Sequence, residues 1–176
     1  MTYYPDLDLV DVDPETRAVG WLDADYAYPT APPSDALLDA LWQFARAPVY
    51  ATRGVHECEL CPRAPDYYDR IDEIRARMKD PNDPLHRTVM RDIPWPQDER
   101  RWSVEAEHRG ERLRLGTAEI CAFGANGVLY EAPTLIYHYV AKHHYQPPEE
   151  FVRAVTTGPR PPGDDYRALL RRFKIR

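Results

Sequence analysis

Eighteen prolines divide this 176-residue chain into short segments, and they constrain its fold more than any other feature of the sequence. Proline lacks a backbone hydrogen-bond donor and disfavours a helical conformation in the residue before it. Except for residues 97–132, no segment between prolines exceeds 15 residues, so most of the chain has room for short helices and short strands only. Because the length is that of one ordinary domain, we expect residues 1–176 to form a single domain built from many short elements.

Hydrophobic residues recur at helical spacing in five segments. The first segment begins after Ser34, a residue type that caps helix N-termini, and should end near Arg46 because Pro48 follows. The other predicted helices cover residues 67–78, 134–144, 148–157 and 166–173.

Alternating hydrophobic and polar residues predict four antiparallel strands between residues 102 and 130. Residues 108–110 form a predicted turn, and Asn126-Gly127 supplies a second turn signal. We therefore predict an α+β fold, in which a small antiparallel meander packs against helices. Residues 62–100 are charged and rich in proline, and we interpret them as a surface excursion that carries one short helix, not as a second domain.

Cys58 and Cys61 form a Cys-x-x-Cys pair, and His56 lies two residues before it. This spacing lets both thiolates of a tight turn bind one ion at the roughly 2.3 Å of a zinc–sulfur bond. His138 and His143 lie on a predicted helix at a spacing that occurs in zinc-binding helices. We therefore predict a zinc-stapled loop with Cys58, Cys61, His138 and His143 as ligands, in which His56 competes with His143 for the fourth position.

Two other interpretations of the cysteine pair stay open. A thioredoxin-like redox pair needs a helix directly after it, whereas Pro62-Arg63-Ala64-Pro65 follow here. Alternatively, the two cysteines are buried and reduced without a metal. Cys121, between Ile120 and Ala122 in a predicted strand, is expected to be a small core residue and not a fifth ligand.

The charge of the chain indicates which partners it can have. Twenty-nine acidic and 23 basic residues give a net charge of −6, whereas a nucleic-acid-binding surface is typically basic. We therefore expect no nucleic-acid partner and favour a basic protein. The candidate interface is the tyrosine-rich N-terminal segment, whose acidic residues are Asp6, Asp8, Asp11, Asp13, Glu15, Asp23 and Asp25. The alternative is that this segment only covers the sheet and that its acidic residues face water.

Membrane and secretory signals are not found in the sequence. No apolar run approaches the roughly 20 residues that cross a bilayer, and the acidic N-terminus lacks the pattern of a signal peptide. We therefore expect a cytoplasmic protein that does not enter a membrane.

Common enzyme motifs are also missing: there is no Gly-rich phosphate loop, no His-Glu-x-x-His and no Gly-x-Ser-x-Gly. The zinc-deaminase signature does not fit, because no proline precedes Cys58. These observations favour a zinc-binding, non-catalytic interaction protein, for example an immunity-type inhibitor of a basic partner or toxin. The alternative is a zinc-dependent hydrolase with an open metal position, for which Glu57, Glu59 or Glu119 could supply the general base.

Residues 54–61 resemble the Gly-x-His-x-Cys-x-x-Cys segment of a bacterial family of uncharacterised proteins. Residues 28–30 and 116–120 are also similar to that family, and so is an Ala-Pro-x-Leu-Ile-x-His-Tyr-Val-x-x-His helix that contains His138 and His143. The resemblance covers most of the chain outside residues 62–100. It implies that the cysteines and the helix histidines belong to one unit, and it implies no activity.

Overall fold

The computed structural model describes residues 3–10, 15–51, 56–62, 65–93 and 104–175. Within these residues the helices are α1 (Asp35–Ala45), α2 (Pro65–Lys79), α3 (Ile136–His143), α4 (Glu149–Thr157) and α5 (Asp164–Arg172). The strands are β1 (Thr16–Ala18), β2 (Val104–His108), β3 (Glu111–Leu115), β4 (Glu119–Phe123) and β5 (Leu129–Pro133). The predicted α+β class is confirmed.

The strands form two small sheets. One sheet has the strand order β1-β5-β4, and the other is the hairpin of β2 and β3. Strands β4 and β5 are antiparallel, with Cys121 opposite Glu131, whereas β1 runs parallel to β5. The four strands expected from the sequence are thus present as two antiparallel pairs, and the chain turns between the pairs at Gly116, where φ is +89°. Strand β1 was not predicted, because three residues are too few for an alternating pattern.

Local hydrogen bonds explain where the helices begin and end. The Ser34 hydroxyl accepts a hydrogen bond from the Leu37 N–H at 3.2 Å and caps α1, as the sequence predicted. Helix α3 ends at His143 because His144 adopts a left-handed conformation with φ of 55°, a common way for a helix to stop. The Tyr145 N–H then donates to the Tyr139 carbonyl at 3.1 Å.

Burial of apolar side chains holds α3 in place. Helix α1 contacts α3, α4 and β4, and Ile136, Tyr139 and Val140 of α3 are at most 1% exposed. The largest of the other fully buried side chains are Phe44, Leu41, Leu115, Ile120, Tyr145 and Phe151. The buried side chains of α3 therefore fix the position of the helix that carries His138 and His143.

The chain divides into two compact units. One contains Met1–Leu60 together with Trp102–Arg176, and the other contains Cys61–Arg101. Helix α2 lies in the second unit and extends the helix predicted over residues 67–78. That the chain is one domain, with residues 62–100 as an excursion, stays a prediction. None of the described helices is long and apolar enough to cross a membrane.

Candidate metal centre

Four of the five predicted ligands lie together in the structure. One donor atom from each of Cys58, Cys61, His138 and His143 lies within 4.8 Å of the other three. The Nε2 atoms of His138 and His143 are 3.1 Å apart, and the Cys58 Sγ lies 3.3 Å from the His143 Nε2. Donors around a tetrahedral zinc ion, with bonds of about 2.0–2.3 Å, are about 3.3–3.8 Å apart. The cluster therefore has the spacing of four donors that could hold one metal ion.

Hydrogen bonding alone does not account for both short contacts of the His143 Nε2 atom. A neutral imidazole nitrogen carries either one proton or one lone pair, so it makes one ordinary hydrogen bond. Here the same nitrogen faces the Cys58 sulfur and the His138 nitrogen. A cation among these atoms would interact favourably with all of them, since each offers a lone pair in its metal-binding form.

The two imidazoles are neutral at physiological pH. Burial, followed by the effects of His143 and Lys142, lowers the pKa of His138 to about 4. Burial, followed by Lys142 and His144, also lowers the pKa of His143. Because a metal binds the deprotonated imidazole, both side chains are already in the form that a ligand needs.

Gly116 allows the cysteine loop, residues 56–62, to approach the connection between β3 and β4. The His56 N–H donates to the Gly116 carbonyl at 2.7 Å, and a Cβ atom on Gly116 would lie 2.3 Å from the His56 oxygen. The Gly116 N–H in turn donates to the hydroxyl of buried Thr134 at 2.9 Å. These hydrogen bonds link the cysteine loop to the residues that precede α3.

Sequence reasoning did not identify Gly116 and Thr134 as residues that position the site. In the sequence Gly116 stands between two strand patterns. An isolated glycine between strand patterns is also a signal that another backbone segment approaches closely, and that signal was available in the sequence.

The remaining candidates lie outside the cluster. The His56 ring packs edge-to-face against Trp21, with the ring centroids 6.5 Å apart, and its side chain does not join the other four. Cys121 is fully buried in β4, as expected for a core residue. Glu119 is also in β4, where burial raises the pKa of its carboxyl group. Which residues bind a metal stays a prediction.

A protein-family model whose description is "Domain of unknown function (DUF7919)" matches residues 2–156. The matched region contains all four clustered side chains and the two residues that position them. No curated protein and no solved structure matches the chain. The family match agrees with the resemblance found in the sequence.

Proposed function

The chain belongs to this family of unknown function, and we propose that it is a zinc-binding, non-catalytic protein that acts by binding another protein. The observation that carries the zinc proposal is the convergence of two sulfur and two nitrogen donors within 4.8 Å of one another. Thiolate and imidazole together favour zinc among common divalent cations. Structural zinc sites use four protein ligands, whereas catalytic sites keep one position for water.

Metal analysis and X-ray absorption spectroscopy test this proposal. Protein purified without a chelator is expected to contain one zinc ion per chain, with two sulfur and two nitrogen neighbours. Cys58→Ser and Cys61→Ser should lose the metal, and Cys121→Ser is the matched control that should keep it. His138→Ala should weaken zinc binding and His56→Ala should not. Stoichiometric zinc in either Cys58→Ser or Cys61→Ser would refute the ligand set.

A zinc hydrolase is the second candidate, and the exposure of the cluster favours it. Cys61, His138 and His143 are only partly buried, so water can reach this part of the molecule. A hydrolytic centre would bind zinc through three protein ligands and one water. The same absorption spectrum tests this candidate, because a water in place of a protein donor would leave fewer than two sulfur neighbours or the multiple-scattering signal of fewer than two imidazole rings.

We further propose a basic protein as the partner, for example a toxin that the chain neutralises. The net charge of −6 supports this choice, since complementary charge accelerates association. Tyr26 is 52% exposed and stacks on Tyr3 with the ring centroids 3.8 Å apart. Exposed Asp25 precedes it in the chain. Exposed aromatic rings beside carboxylates suit arginine and lysine side chains.

The acidic residues of the N-terminal segment differ in their roles. The Asp6 carboxylate accepts hydrogen bonds from the Tyr145 hydroxyl at 2.7 Å and the Gly20 N–H at 3.0 Å, so it serves the fold. Asp8 and Asp25 are exposed and are the better candidates for an interface. Asp11 and Asp13 lie outside the described residues.

Variants in which neutral asparagines replace exposed acidic residues test the partner proposal. A double variant with Asp8→Asn and Asp25→Asn should capture less of a basic protein from the source cell than the unchanged protein does, and the loss should diminish at high salt. A second double variant, Asp164→Asn with Asp165→Asn, is the control. It removes the same number of negative charges at the start of α5, outside the N-terminal segment, and should capture the basic protein as the unchanged protein does. Equal capture by all three proteins would refute this interface.

A further inference from the structure

A cavity of about 550 Å³ lies beside the end of β4 and helix α4. Its apolar floor contains Phe123, Tyr130 and Ala154, each at most 6% exposed. Two charged residues of α4, Glu150 and Arg153, also line it. Both the volume and the combination of an apolar floor with a few polar groups are typical of small-molecule sites.

The two charged residues are close together and carry opposite signs. Glu150 and Arg153 are three residues apart on α4, so their Cβ atoms are about 5–6 Å apart. Arg153 pairs with Glu149 at 3.5 Å, where both side chains are largely exposed, and such surface pairs are weak. Among the described residues Glu150 forms no ion pair. Both charges are therefore available to a ligand.

The hydroxyl of Tyr130 lies within the field of both charges. Burial raises the pKa of Tyr130, Glu150 raises it further, and Arg153 acts in the opposite direction. A phenol, a carboxylate and a guanidinium thus line the cavity together with the apolar side chains of Phe123, Val128 and Ala154.

We propose that this cavity binds a free α-amino acid with an apolar side chain. The ligand carboxylate pairs with Arg153, its ammonium group pairs with Glu150, and its side chain covers the apolar floor. A free amino acid carries both charges on one carbon, which matches two opposite charges one helical turn apart. A peptide terminus offers only one of these charges. This site shares no residue with the metal centre and is independent of the function proposed above.

Isothermal titration of the full-length protein with L-phenylalanine and with L-leucine tests the proposal. Saturable binding with one ligand per chain is expected for at least one of them. L-phenylalaninamide lacks the carboxylate and N-acetyl-L-phenylalanine lacks the ammonium group. Each should bind at least tenfold more weakly than L-phenylalanine, because charge-assisted hydrogen bonds are the strong ones. No saturable binding of either amino acid, or equal binding of an analogue, would overturn the proposal.

Variants locate the binding site. Glu150→Gln and Arg153→Gln should each weaken binding at least tenfold while the thermal unfolding curve stays cooperative. Glu105→Gln is the matched control, since it makes the same chemical change at an exposed position that does not line the cavity. Unchanged affinity in Glu150→Gln would place the amino acid elsewhere and refute this site.

Discussion

Replacement of Gly116 by alanine should weaken zinc binding although Gly116 is not a ligand. The new Cβ atom would lie 2.3 Å from the His56 carbonyl oxygen, so the two must separate by about 1 Å to reach an ordinary contact. His56 is two residues before Cys58. Because zinc–ligand distances tolerate only about ±0.2 Å, such a shift of the loop should move the thiolates out of position. We expect a loss of zinc affinity of about 10- to 100-fold, the usual effect of changing a residue that orients a ligand.

Gly110→Ala separates this collision from backbone strain. Gly110 has φ of +81°, similar to +89° at Gly116, but a Cβ atom there would meet nothing within 4 Å. Alanine in such a conformation costs about 1–2 kcal/mol, so both variants should lose at least this amount of unfolding free energy. Only Gly116→Ala should also lose zinc affinity.

Competition with a coloured chelator measures the zinc affinity, and urea unfolding of the metal-free proteins measures the stability. Thr134→Val removes the hydroxyl that accepts the Gly116 N–H and should act in the same direction, whereas Thr134→Ser should restore the affinity. If Gly116→Ala binds zinc as tightly as Gly110→Ala, the loop is not positioned by this contact and the reasoning is wrong.

Three further predictions concern the thiols and the buried tyrosine. In the folded, metal-free protein the partly exposed Cys61 should react with a thiol reagent before the buried Cys58 does. Cys121 should not react until the protein is denatured, because burial, with Glu131 and Glu119, raises the pKa of its thiol. Burial raises the pKa of Tyr145 well above 10, so the contribution of this group to stability should be constant below about pH 10 and be lost at higher pH, where only the unfolded tyrosine ionises; the difference between the urea midpoints of the unchanged protein and of Tyr145→Phe across this range measures the effect. Tyr145→Phe should lower the unfolding free energy by about 1–3 kcal/mol, because the Asp6 carboxylate loses a donor; urea unfolding at neutral pH measures it.

The sequence was sufficient for elements whose signals are local. Ser34 predicted the start of α1, and the tyrosine and leucine spacing predicted α5, because caps and amphipathic faces are properties of neighbouring residues. Strand β1 was not predictable, since its three residues gain their hydrogen bonds from β5, which is distant in the sequence. The sequence signals a close approach at Gly116, which is an isolated glycine between strand patterns, but it does not indicate that the approaching segment is the cysteine loop, which is distant in the sequence.

The choice between His56 and His143 shows where sequence reasoning about the site ended. Residues five apart are about 140° apart around an ideal helix, so the spacing of His138 and His143 alone did not place both rings on one side. In the structure His143 is the last residue of α3, next to the left-handed His144. The His143 ring can therefore turn toward His138, and the Nε2 atoms of the two rings are 3.1 Å apart.

The positions of these histidines make the proposed metal centre depend on the tertiary fold. In a simple zinc finger all ligands come from one short segment, so the metal alone can organise the site. Here the imidazoles are placed by α3, whose buried face packs against α1. The cysteine loop is placed through Gly116 and Thr134. Two of the four donors are therefore fixed by hydrophobic packing before a metal binds, and zinc binding and core stability should be coupled in both directions.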